Sequence, residues 1–180
     1  MNSEDNSAQP NVTAIGTMEE IILFTTGGTI DKVYFDRQSE YQTGNSIAEE
    51  LLRIAGVTFP YSIVEVLRKD SLEFTEDDRA ALFRAVASAP SSRIVVTHGT
   101  DTMTQSAHAL APISGKTIVL TGALAPARFR DSDAAFNLGM AFAAAQTAPH
   151  GVCIAMNGHV FRGDHVRKER ALSKFVALKP

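Results

Sequence analysis

The chain has 180 residues, 44% of them hydrophobic and 21% charged, a globular balance long enough to bury the core of one domain. Its formal net charge of −3 gives no basic footprint for nucleic acid, and no apolar run approaches the length needed to span a membrane. Cys153 is the single cysteine, which excludes an intrachain disulfide and fits a reducing, cytoplasmic setting; it reads as a small buried hydrophobe.

Residues 1–18 are polar, with Glu4 and Asp5 and neither a basic start nor an apolar core. They read as a disordered extension and not as a signal peptide, with Met18 as the natural start. Glu20–Thr25 is the first strand. The long polar loop Asp31–Asn45, which carries Tyr34 and Tyr41, follows it. Ser46 and Glu49 form a capping box for a helix to about Ile54, stopped by Gly56. Ser62–Leu67 is the second strand, and Arg68–Phe74 a polar connection. Thr75 with Asp78 caps a helix to about Ser88. Arg93–Thr97 is the third strand, and a helix from Thr102 to about Leu110 ends at Pro112. Thr117–Leu120 is the fourth strand, leading into the loop Thr121–Pro126. Ser132 caps the alanine-rich helix Asp133–Gln146. Gly151–Met156 is the fifth strand, and Asn157-Gly158 a hairpin turn before His159–Phe161. This alternation predicts a doubly wound, mostly parallel α/β sheet with helices on both faces and a C-terminal hairpin.

In such a sheet the carboxyl ends of the strands share one rim, where ligands bind. The rim collects Thr25, Thr26 and Thr29, then Asp70 and Ser71, then His98, Thr100, Asp101 and Thr102, then Thr121 and Gly122. Hydroxyls, carboxylates and glycine turns suit nucleophilic chemistry once a base activates a hydroxyl. Each signal also has a structural reading. Thr26-Gly27-Gly28-Thr29 can be a tight turn, Asp101 a helix cap, Ser71 a turn residue and His98 a satisfied buried histidine. Phosphate-loop, dinucleotide-binding, zinc and G-x-S-x-G patterns are missing. The basic residues Arg162, Arg167, Lys168, Arg170 and Lys174 are interspersed with Asp164 and Glu169, as on a solvated face.

The order of the motifs is more specific. T-T-G-G-T-I after the first strand and V-T-H-G-T-D-T-M at the third resemble the two signatures of the bacterial-type L-asparaginase family. Lys69-Asp70-Ser71-Leu72-Glu73, Thr121-Gly122-Ala123-Leu124-Ala125-Pro126, Asp133 to Leu138, and Val160 to Lys168 resemble further family segments in the same order. The resemblance is to the short, single-domain members, with the N-terminal half of a longer protein as the alternative, and residues 19–180 are expected to form one catalytic domain of the family's N-terminal type.

The resemblance implies hydrolysis of L-asparagine to L-aspartate and ammonia, with no cofactor and no metal. Thr26 matches the nucleophile, and Thr100, Asp101 and Lys168 the second catalytic group, with Lys168 a proton acceptor of depressed pKa. Asp101 would also hold the substrate's α-ammonium. Ser71 and the backbone around Asp70 would hold its α-carboxylate. The Thr100 backbone N–H and the Ala123 region would face the amide oxygen. Tyr41, with Tyr34 as its rival, matches the loop tyrosine. Leu72 replaces a residue that is polar in many members. The family also implies a homo-oligomer, a dimer or tetramer. Two rivals stand beside this reading: a non-catalytic amino-acid-binding module, and a subunit that feeds ammonia to a tRNA-dependent amidotransferase.

Overall fold

The computed structural model describes residues 19–31 and 47–178. The expected extension 1–18, the loop residues Tyr34 and Tyr41, and the Ser46 cap lie outside the described residues.

Six strands form one sheet, in chain order β1 (Ile21–Thr25), β2 (Tyr61–Glu65), β3 (Arg93–Thr97), β4 (Thr117–Thr121), β5 (Gly151–Met156) and β6 (His159–Arg162). Their order in space is β2-β1-β3-β4-β5-β6, with every pair parallel except the β5–β6 hairpin. The expected doubly wound sheet is therefore present. Asn157 and Gly158 form the anticipated turn, both at positive φ (53° and 78°), as a two-residue hairpin requires.

The central strands are apolar throughout because both of their faces are covered. Ile22, Phe24, Ile94, Val96, Ile118, Leu120, Ile154 and Met156 point to one side, where α2 (Glu76–Ser88) and α3 (Met103–Leu110) bury Leu82, Val86, Met103, Ala107 and Leu110. Ile21, Leu23, Val95, Val119 and Ala155 point to the other side, toward α1 (Ile47–Ile54) and α4 (Ala134–Thr147). On α4 the residues Ala134, Asn137, Leu138, Ala141, Phe142 and Ala145 are buried, a helical repeat whose alanines let the helix lie close to the sheet.

Two details differ from expectation. Asp133 holds the N-cap position of α4 but sends its carboxylate to a neighbouring loop, and the expected Ser132 hydroxyl accepts the Ala134 N–H at 3.1 Å. A second antiparallel pair, β7 (Val166–Glu169) with β8 (Lys174–Ala177), follows the main sheet and was not anticipated. It docks on the α2–α3 side through Val166 and Phe175, and the Phe175 N–H donates to Asn157 Oδ1 at 2.8 Å.

Candidate active site

The chain reverses its direction of winding between β1 and β3, because β2 lies on one side of β1 and all later strands of the sheet on the other. Ligands of open α/β sheets bind beyond the strand ends at such a switch point. Strand register brings Thr25, Thr97 and Thr121 level there.

Glycines let the loops beyond the strands touch. A Cβ added to Gly28 would lie 2.5 Å from the Gly99 nitrogen, and one added to Gly99 would lie 2.5 Å from Ser71 Oγ. Gly28 also has φ of 93°, in the region that side chains avoid. The loops after β1, β2 and β3 thus meet at Gly28, Ser71 and Gly99, and the next residues in two of them are Thr29 and Thr100.

Lys168 reaches this place from β7. Alternation along the strand explains how: Val166 is buried against the core, so Lys168, two residues on, faces inward as well. Its Nζ donates to Thr100 Oγ1 at 2.7 Å and to Asp101 Oδ1 at 2.9 Å. Its side chain is only 15% exposed, whereas Arg162 and Arg167 pair with Asp164 and Glu169 in the solvent. The basic segment is a solvated face at those positions, and Lys168 departs from it. Asp101 is not the cap of α3; that position is Thr102.

The expected nucleophile, Thr26, is the first residue beyond β1. Thr26 is 0% exposed, and its Oγ1 donates to the Thr97 carbonyl at 2.8 Å, beside the Thr26 backbone N–H on the same oxygen. It extends the β1–β3 pairing by one residue. Thr29 follows the two glycines, opens a short 3-10 turn and is partly exposed. Asp31 closes that turn; burial pushes its carboxyl up to about 6, against the pull of Arg68 and with a push from Glu65.

Ser71 is 1% exposed and its hydroxyl has no partner among the described residues, while its carbonyl accepts from Thr102 Oγ1 at 2.7 Å. Asp70 caps the short turn Ser71–Glu73, accepting the Leu72 N–H at 3.1 Å. Leu72 itself is exposed. Ala123 is buried in the loop after β4. Asp133 anchors that loop, accepting the Leu124 and Ala125 N–H groups. Asn137 donates to the Gly122 carbonyl at 3.0 Å and to Asp133 at 2.8 Å. The 133–137 spacing puts both side chains on one helix face, so this support was readable as geometry once the helix was known.

His98 is fully enclosed, with its ring 4.6 Å from that of Phe74 and both nitrogens engaged. It is the satisfied buried histidine of the structural reading. Cys153 is half-buried, and burial pushes its thiol pKa up, away from a reactive thiolate.

A strand-end site of hydroxyls, a lysine and a carboxylate at the switch point of a doubly wound sheet defines the class. The particular family follows from comparison. Residues 20–177 match the family described as Asparaginase, N-terminal, and the chain belongs to it. It is 30% identical over 165 residues to an L-asparaginase from Thermococcus kodakarensis, covering 85% of this chain and 48% of that protein. The solved structure of the thermostable L-asparaginase from Thermococcus kodakarensis superposes with a TM-score of 0.77 at 27% identity, over 89% of this chain and 52% of that one. A glutaminase-asparaginase from Pseudomonas fluorescens is 28% identical over 90% of this chain and 47% of its own length. A glutamyl-tRNA(Gln) amidotransferase subunit from Methanococcus vannielii is 29% identical over 89% of this chain and 39% of its own length. The chain thus spans about half the length of these curated relatives or less. Among the described residues, no helix is long and apolar enough to cross a membrane.

Proposed function

We propose that the chain is an amidohydrolase that cleaves the side-chain amide of L-asparagine. The observation that carries this reading is the Lys168–Thr100–Asp101 cluster, with Nζ at 2.7 Å from one partner and 2.9 Å from the other. It lies beside the Gly28–Gly99 contact that brings Thr29 near. Thr29 Oγ attacks the amide carbon, taking the role that the resemblance gave to Thr26. Its proton passes along the Thr100 hydroxyl to Lys168 Nζ. The same proton then goes to the departing nitrogen, the C–N bond breaks, and ammonia leaves. Water cleaves the resulting ester by the same relay.

Asp101, with Oδ1 on Lys168, offers Oδ2 to the α-ammonium. Ser71 Oγ takes the α-carboxylate, which supplies the partner that this buried hydroxyl lacks among the described residues. The Thr100 N–H and the Ala123 loop face the developing oxyanion. Tyr41 remains part of the proposed site, as do a cytoplasmic setting and a homo-oligomer.

The test is ammonia release by the purified 180-residue protein from asparagine, glutamine and small amides. Asparagine is expected to turn over faster than glutamine, whose extra methylene displaces the amide from a fixed nucleophile. Release without an added partner argues against a role confined to feeding an amidotransferase. Release no faster than that of a Lys168→Met variant overturns the hydrolase reading.

A further inference from the structure

We propose that His98 is a positioning residue, whose Nδ1–H holds the Gly99 carbonyl so that the Thr100 N–H is aimed at the oxygen of the scissile amide. The proposal rests on the amidohydrolase reading above.

Nδ1 of His98 lies 2.8 Å from the Gly99 carbonyl oxygen, and Nε2 lies 2.8 Å from Ser106 Oγ. A carbonyl only accepts, so Nδ1 carries the proton. In the neutral ring Nε2 then accepts from the Ser106 hydroxyl, which fixes the tautomer. Burial is the larger cause that keeps the ring neutral, with the Arg79 charge adding to it; together they hold the His98 pKa down at about 4, against the Gly99 contact.

The Gly99–Thr100 peptide is trans, so its C=O and N–H point in opposite directions. Fixing the carbonyl therefore fixes the N–H. Gly99 has no side chain to restrain its own torsions. Among the described residues no acceptor meets the Thr100 N–H, although Thr100 is buried. A buried donor with no acceptor among the described residues, on a peptide whose carbonyl is held from behind, is the arrangement of a preorganised oxyanion donor. His98 is itself held. Its N–H donates to the Thr121 carbonyl at 2.8 Å, and Phe74 covers its ring. Ser106 belongs to α3, so the imidazole ties the loop to the helix that the loop opens.

The test compares His98→Leu, His98→Asn and Ser106→Ala for ammonia release from asparagine, with the 15N spectrum of the wild-type imidazole as an independent readout. His98→Leu is expected to lower kcat about 100-fold, the loss typical of one misplaced oxyanion donor, while KM changes by less than about twofold. His98→Asn puts an amide N–H near the place of Nδ1 and is expected to recover at least about tenfold of that loss. Ser106→Ala is expected to cost less than His98→Leu. The spectrum is expected to show Nδ1 protonated. Equal losses in the Leu and Asn variants, a loss confined to KM, or a wild-type ring protonated at Nε2 overturns the proposal. A wild type that releases no ammonia overturns the amidohydrolase reading, whereas an active wild type indifferent to His98 overturns this inference alone. If His98→Leu does not fold, His98→Asn and Ser106→Ala carry the kinetic comparison, and the spectrum still reports the tautomer.

Discussion

The loops that leave β1 and β3 share a pattern: an apolar strand, a threonine, glycine and another threonine. The first threonine beyond β1, Thr26, is sealed in the sheet and spends its hydroxyl on the Thr97 carbonyl. In the second loop Thr100 is gripped by a lysine 68 residues further along the chain. The two threonines of the pattern therefore do unlike things. What separates them is the partner that each hydroxyl meets, and partners come from elsewhere in the fold.

The largest expected effect tests the lysine. Lys168→Met should lower asparagine turnover by roughly 100- to 10,000-fold, the range for loss of a positioned proton acceptor, with the circular dichroism of the fold unchanged. Residual activity within a few-fold of wild type would place the chemistry elsewhere. The second test divides the first loop. Thr29→Ala should reduce turnover by at least about 100-fold with little change in thermal stability. Thr26→Ala should mainly lower stability, by about 1 kcal/mol for the lost buried hydrogen bond. The opposite pattern in a paired activity and melting experiment would restore Thr26 as the nucleophile.

The third test uses pH. His98 has a folded pKa of about 4 against an ordinary value near 6.5, so between these values the unfolded chain binds the extra proton. Stability from this group is complete above about pH 6.5 and is lost as pH falls toward about 4, a total of about 3 kcal/mol. Asp31, raised to about 6, acts in the opposite sense over much of the same window. The quantity to measure is thus the difference in unfolding free energy between wild type and His98→Asn. It should fall from pH 7 to 4, and a flat difference would contradict the buried neutral ring. Asp78 lies outside that window, because the Lys69 ammonium, donating at 2.8 Å, holds it down at about 2. The smallest effect concerns the start of α2. Thr75→Ala removes one half of the capping box with Asp78 and should cost about 1 kcal/mol, read from denaturant unfolding.

The main sheet was legible because its strands obey simple rules. Ile21–Thr25, Arg93–Thr97, Thr117–Thr121 and Gly151–Met156 are apolar runs bounded by turns, and the Asn157-Gly158 hairpin carries its own signal. The Thr75–Asp78 box formed as read. The β7–β8 pair was hidden for a physical reason. Val166–Glu169 has one apolar residue among three charged ones, and its turn places Ser173 at φ of 47°, where glycine or asparagine would have announced it. The rim residues were also legible as a group. Which hydroxyl faces outward was not, because Thr26 and Thr29 differ only in what packs around them.

That late ribbon has a consequence for how the molecule fails. Lys168 sits on a two-stranded unit outside the six-stranded sheet, held to it by Val166, Phe175 and the Asn157 contact. Elements attached by few buried contacts open at lower free energy than the core they rest on. Mild heat or denaturant is therefore expected to lift this one arm, and Lys168 with it, while the sheet, its helices and most of its spectroscopic signature remain in place.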